Sequence, residues 1–165
     1  NDVAMGASKA NSGIVHAGFD AKPGTLKAQL NVKGCAMMKE LCEKLSVPYK
    51  NNGSLVVAFA DEEMDTIKDL YNRGIANGVP GLSVLSKEEL KALEPNLADD
   101  VAGALRAESA GIVCPYELTI AATENAVVNG TEFVRNFRVK EISFELNITF
   151  VLDVTELPSS GILCI

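Results

Sequence analysis

At 165 residues the chain is long enough for one ordinary domain with its own core, or for a part of something larger. Fifteen Lys and Arg against 22 Asp and Glu give a formal charge of −7, which argues against nucleic acid or an anionic membrane as the main partner. Aliphatic content is high and Trp absent, unlike disordered or collagen-like chains, and the longest apolar runs, such as Leu55 to Ala60, fall far short of the ~20 residues that cross a bilayer.

The first signal along the chain is a loop. Gly6 to Asp20, GASKANSGIVHAGFD, gathers three glycines, Ser8, Asn11 and Ser12, and the sole histidine, His16. Glycine lets backbone approach a ligand closely, and Ser and Asn satisfy polar groups there. Pro23 and Gly24 then introduce a predicted helix, with Leu26, Leu30, Met37, Met38, Leu41 and Leu45 at helical spacing as its buried face. A turn at Asn51 to Gly53 leads to a strand over 54–59. A helix follows from Asp61, with acids in its first turn, and ends near Asn72 or Asn77 ahead of Gly78 and Pro80. Leu82 to Leu85 is a second strand, and Ser86 opens the SKEE capping box of a helix that stops before Pro95.

Further on, VAGALRAESAGIVCP holds two short strands around a polar break, and YELTIAATENAVVNG is a helix closed by Asn129 and Gly130. The stretch that follows is β-rich, with Val139, Ile142 and Phe144 together, then Ile148, Phe150, Leu152 and Val154 in strict alternation. The tail PSSGILCI has no assignment. This order predicts an α+β (mixed α/β) fold around a mixed or antiparallel sheet, not a regular βαβ array.

Cys35, Cys42, Cys114 and Cys164 show no CxxC spacing and no signal peptide accompanies them. Reduced thiols in a cytoplasmic protein, packed and not metal-bound, are the expectation. Without a secretory signal, the Asn-x-Thr sequences at Asn129 and Asn147 carry no weight.

The segments ASKANSGIVHAGFDAKPGTLKAQLNVKG, NGSLVVAF, NGVPGLSVLSKEELKALEPNL and ESAGIVCPYELTIAATENAVVNGTEF resemble a superfamily of FAD-dependent oxidoreductases. It is the one that includes glycerol-3-phosphate dehydrogenase, L-2-hydroxyglutarate oxidase and D-amino-acid oxidase. Such proteins carry a GxGxxG fingerprint whose backbone amides and helix N-terminus hold the pyrophosphate. None is present here, since GIANGVPG has the wrong spacing and context. The resemblance therefore implies a portion that begins just after the fingerprint unit. Residues 1–46 would form part of an FAD-binding domain, 47–116 a substrate-cap domain on a mixed or antiparallel sheet flanked by helices, and 117–165 a helix and strands returning toward the FAD-binding domain. The ending LPSSGILCI departs from the AAG-like turn of the family, and the arginines that clamp the substrate's anion often come from the half that follows it.

By the same resemblance, Ser8, Asn11, Ser12 and Gly13 lie along the flavin, and His16 acts as acid or base, a neutral imidazole taking the alcohol proton. The bland alternative is a loop whose Ser and Asn satisfy their own backbone, with a packed histidine. Glu62, Glu63, Glu88 and Glu89 are explained by helix-dipole complementarity. Arg106, Arg135 and Arg138 could meet an anionic substrate or phosphate, with solvated surface charge the commoner fate, and Cys114, beside Ile112 and Val113, is expected as an inert thiol.

The function these readings imply is oxidation of the secondary alcohol of a small anionic substrate by an FAD-dependent dehydrogenase, with electrons passed to an acceptor. Glycerol 3-phosphate comes first and L-2-hydroxyglutarate second. A noncatalytic folded module without its own flavin is the alternative for the isolated chain. No metal, nucleic acid or transmembrane segment is expected, and a homo-oligomer is an option.

Overall fold

In the computed structural model, residues 2–135 are described throughout and the strands at 137–144, 150–156 and 162–164 by their backbone. Asn147, Ile148 and the start of the PSSGILCI tail lie outside the described residues, as do the side chains of Arg138 and Cys164. The chain divides into two compact units, one of residues 13–44 and 48–113, the other of residues 1–12, 45–47 and 114–165.

In the first unit the elements are β1 (Ile14–Val15), α1 (Leu26–Lys44), β2 (Tyr49–Lys50), β3 (Ser54–Ala58), a 3-10 turn at Asp61–Glu63, α2 (Met64–Ala76), β4 (Leu82–Ser86), α3 (Lys87–Leu93), β5 (Gly103–Ala107) and β6 (Gly111–Val113). Strands β3, β5 and β4 form an antiparallel sheet in that order, with Val56 opposite Leu105 and Leu105 opposite Val84. Alternation gives the sheet two apolar faces. On one, Ala58 and Leu105 pack with Ile67 of α2, joined by Val56, Met64, Leu70 and Tyr71. On the other, Leu85 and Ala104 pack with Leu90 of α3 and with Val101. Leu90 and Leu105 are fully buried. A third cluster of Ala17, Val79, Ala107 and Ala110, with Phe19, Val32 and Leu82 against it, ties the segment after β1 to this core.

The predicted helices and longer strands are present within a few residues. The capping box is formed as written: the Ser86 hydroxyl accepts from the Glu89 N–H at 3.3 Å, and Glu89 Oε2 accepts from the Ser86 N–H at 2.8 Å. Glu63 likewise turns back to accept from the Phe59 N–H at 2.7 Å. The predicted buried face of α1 is corrected. Leu26, Leu30 and Met37 are 67%, 57% and 56% exposed, and the buried positions are Ala28, Cys35 and Cys42. The physical reason is close approach, because small side chains face the β5–β6 turn and β2, where Cys35 Sγ donates to the Ser109 carbonyl at 3.3 Å. Strands β1 and β2 carry only two residues each and have no counterpart among the predicted elements.

The second unit contains α4 (Pro115–Val128), β7 (Phe133–Arg135), β8 (Phe137–Phe144), β9 (Phe150–Glu156) and β10 (Ile162–Cys164). Pro115 stands in the first turn of α4, where a missing N–H costs nothing, and the Thr119 and Thr123 hydroxyls donate to carbonyls one turn back. Strands β8 and β9 form an antiparallel hairpin and β7 pairs antiparallel with β10, so part of the unassigned tail is a strand. Among the described residues, no helix is long and apolar enough to cross a membrane, and no group of three or more His, Cys, Asp or Glu is placed to hold a metal ion.

Candidate functional site

The small sheet β1–β6–β2 positions the sequence-predicted histidine. Ile14 stands opposite Ile112, and Ile112 opposite Lys50. One residue along, Val15 stands opposite Gly111, and Tyr49 opposite Val113. The Val113 N–H also donates to the Gly13 carbonyl at 2.9 Å, which carries the pairing one residue further back. Two-residue strands become stable here because β6 binds both of them at once and the flanking turns are anchored. The Asn51 amide donates to the Glu108 carbonyl at 2.8 Å and the Ala110 carbonyl at 2.6 Å. Beyond β1, Asn77 Nδ2 donates to the carbonyls of Gly18 and Ala21, and Arg73 to that of Asp20, so the chain leaving His16 is held against α2.

The sheet has one covered and one open face. On the covered face, a Cβ placed on Gly111 would stand 2.5 Å from both the Lys50 carbonyl oxygen and Tyr49 Oη, so only glycine fits beside them. Burial raises the Tyr49 hydroxyl pKa, and the neighbouring Cys35 and Cys42 of α1 push it the same way. Burial also raises the thiol of Cys42, and that of Cys35 against an opposing hydrogen bond with Ser109. Helix α1 therefore lines this side with groups that stay protonated and neutral.

The open face carries Ile14 and Ile112, 44% and 40% exposed, together with the exposed Lys50. The sequence Ile14 exposed, Val15 buried, His16 exposed, Ala17 buried continues the strand alternation and brings His16 to that side. The His16 side chain makes no hydrogen bond or ion pair among the described residues. At the entry to β1, Gly13 has a φ of 68°, the left-handed conformation that glycine adopts without strain. An apolar platform edged by an imidazole and an ammonium suits a flat ring with polar margins.

The other predicted cofactor-facing residues, Ser8, Asn11 and Ser12, belong to the second unit, the boundary falling between Ser12 and Gly13. Ser8 and Asn11 are drawn together: the Asn11 amide donates to the carbonyls of Ala7 and Ser8, both at 3.0 Å, within a turn closed by the Lys9 N–H to Gly6 bond. Arg106 pairs with Glu108 at 3.2 Å, in a polar cleft of about 210 Å³ with Asn52 and Glu94. Arg135 is exposed. Cys114, expected among apolar neighbours, is exposed. A larger cleft of about 540 Å³ in the second unit is apolar and edged by Asp2 and Glu124, a sign of charge unsuited to an anion. Sequence reasoning missed that Ile112 and Lys50 share one cross-strand row with Ile14, because residues from three separated short segments leave no periodic signal.

A family model for FAD dependent oxidoreductases matches residues 1–161. The chain is 54% identical over 142 residues to a glycerol 3-phosphate dehydrogenase of Caloramator mitchellensis, covering 86% of this chain and 30% of that protein. It is 35% identical over 141 residues to the human mitochondrial L-2-hydroxyglutarate dehydrogenase, again with 86% and 30% covered. Among solved structures, the dithionite-reduced L-alpha-glycerophosphate oxidase of Mycoplasma pneumoniae with FAD bound superposes at a TM-score of 0.79 with 30% identity, over 92% of this chain and 41% of that one. The chain thus spans about 30% of the length of these curated relatives, and the mixed helix-and-antiparallel-sheet architecture is that of FAD-dependent oxidases. With nearly its whole length matched, the chain belongs to the FAD dependent oxidoreductase family.

Proposed function

We propose that the protein carrying this chain uses FAD to oxidise the secondary alcohol of a small anionic substrate, sn-glycerol 3-phosphate first. The observation that carries the reading is His16 on the open, apolar-floored face of the β1–β6–β2 sheet beside Gly13. The higher identity to the glycerol 3-phosphate dehydrogenase, 54% against 35%, favours that substrate over L-2-hydroxyglutarate, which is the second reading.

The residues present fit a flavin. Ile14 and Ile112 offer van der Waals contact to an apolar ring, and Gly13 keeps the backbone beside it free of a Cβ. Ser8, Asn11, Ser12 and Gly13 are the cofactor-facing set in this reading, with backbone groups and short side chains as their means of contact. When bound, FAD supplies the hydride-accepting chemistry. His16 binds the substrate hydroxyl through a ring nitrogen and takes its proton from the alcohol oxygen, while Ile14 and Ile112 exclude water below it. The stretch 47–116 is proposed as the substrate cap, supported by the two-faced β3–β5–β4 layer that it contains. An electron acceptor and a homo-oligomeric state belong to the same proposal, as does a cytoplasmic setting, supported by the free thiols of Cys35, Cys42 and Cys114.

The test is rapid mixing of the FAD-loaded full-length protein with each alcohol under anaerobic conditions. His16→Ala is expected to slow flavin bleaching by about 10²–10⁴-fold, the usual contribution of a general base, while the FAD content stays at the wild-type level. An unchanged bleaching rate would remove His16 from the chemistry.

A further inference from the structure

We propose that Lys50 holds the anionic group of the substrate, phosphate or carboxylate, across the open face of the small sheet from His16. The inference rests on the role of His16 given above. Lys50 stands level with Ile112, and Ile112 with Ile14, so the three form one row across the sheet. At about 4.8 Å per strand the row puts Lys50 about 10 Å from β1, and His16 lies about 7 Å further along β1. Two long side chains bracketing that gap leave room for a small molecule. In 2-hydroxy acids and glycerol phosphate only a few bonds separate the hydroxyl carbon from the anion. An imidazole–hydroxyl hydrogen bond and an ammonium–oxygen contact, each about 2.8 Å, fill the remainder.

Charge and partnering single out Lys50 within this unit. Lys27, Lys44, Lys68 and Lys91 are each paired with a carboxylate, Arg106 with Glu108, and Arg73 and Lys87 donate to backbone carbonyls. Lys50 has an exposed side chain with no hydrogen bond or ion pair among the described residues. Lys22, Lys33 and Lys39 also lack a described partner, but they lie on α1 or the loop ahead of it, and α1 packs on the covered face. A compact ammonium on a flexible stem suits either anion, since it needs no forked geometry. Ile14 and Ile112, with the ring they carry in that reading, keep water from the gap between the two polar ends and so strengthen both contacts.

The test uses the FAD-loaded full-length protein with its Lys50→Met and Lys50→Arg variants. Calorimetry measures the binding of inorganic phosphate and of glutarate, neither of which has an alcohol to oxidise. Steady-state assays give kcat and KM for glycerol 3-phosphate and L-2-hydroxyglutarate. Lys50→Met is expected to weaken anion binding and raise KM by about 10–100-fold, the loss of one charge-assisted contact. Its kcat should change by less than about threefold, and Lys50→Arg should recover most of the affinity. Whichever of phosphate and glutarate binds more tightly identifies the anionic group. The proposal is overturned if neither anion binds the wild type, if Lys50→Met binds both as tightly, or if the loss falls on kcat with KM unchanged. A wild-type rate in His16→Ala refutes the reading of His16 instead, while the calorimetric result still decides the role of Lys50.

Discussion

His16 stood out in the sequence as the sole histidine in a loop of small residues, and its role came from the family resemblance, but its surroundings were not legible. Ile14 and Ile112, the exposed apolar residues on the face where His16 stands, are nearly a hundred positions apart and meet through a two-residue strand. The cysteines are a second case. Packing was expected of the thiols, but not that Cys35 and Cys42 would mark the buried face of α1, because its Leu and Met positions carry a stronger helical pattern than its small ones. Both thiols are raised by burial, so they stay protonated in the native state over a pH range where the unfolded chain loses protons. Above the unfolded-state value of about 8.5 the native protein binds more protons than the unfolded one, and stability falls as pH rises through the native-state values; below it the thiols contribute no pH dependence. Denaturant titrations between pH 7 and 10 should show that decline, and Cys35→Ala with Cys42→Ala should flatten it. In the native protein at pH 8, a thiol reagent should modify the exposed Cys114 at least about tenfold faster than Cys35 or Cys42. Equal labelling of the three would refute the packing of α1 on the small sheet.

At the level of elements, the segments with the clearest local chemistry were the ones read correctly. Ser86 with Glu89 forms both hydrogen bonds of its capping box, and α3 begins where they require. The Glu88 carboxyl, held below its usual range by its own backbone N–H and by the Ser86 hydroxyl, adds a charge at the favourable helix end. Ser86→Ala is expected to cost about 1 kcal/mol of stability, measured as a shift of the denaturation midpoint with no change in slope. A neutral effect would mean that α3 is fixed by Leu90 packing alone. Strands β1 and β2 escaped because two residues have no period, and their stability comes from β6 and from the Asn51 and Asn77 side chains that anchor the adjoining turns. Tertiary partners made these elements, and a single-sequence pattern does not contain them.

Across the whole molecule, the α+β class and antiparallel pairing followed from the order of elements, while the division into two units did not. That division passes between Ser12 and Gly13, through the middle of one continuous small-residue loop, where composition shows no break. Family membership rests on the match over residues 1–161, and the catalytic reading rests on the open face that ends in His16 and Lys50. The most direct measurement is a crystal structure of the FAD-loaded full-length protein. The account predicts the isoalloxazine ring on the Ile14–Ile112 side of the small sheet, within van der Waals reach of about 4 Å of one of those side chains and with the His16 imidazole at the same face. A ring bound away from that face, with His16 pointing only to water, would contradict it.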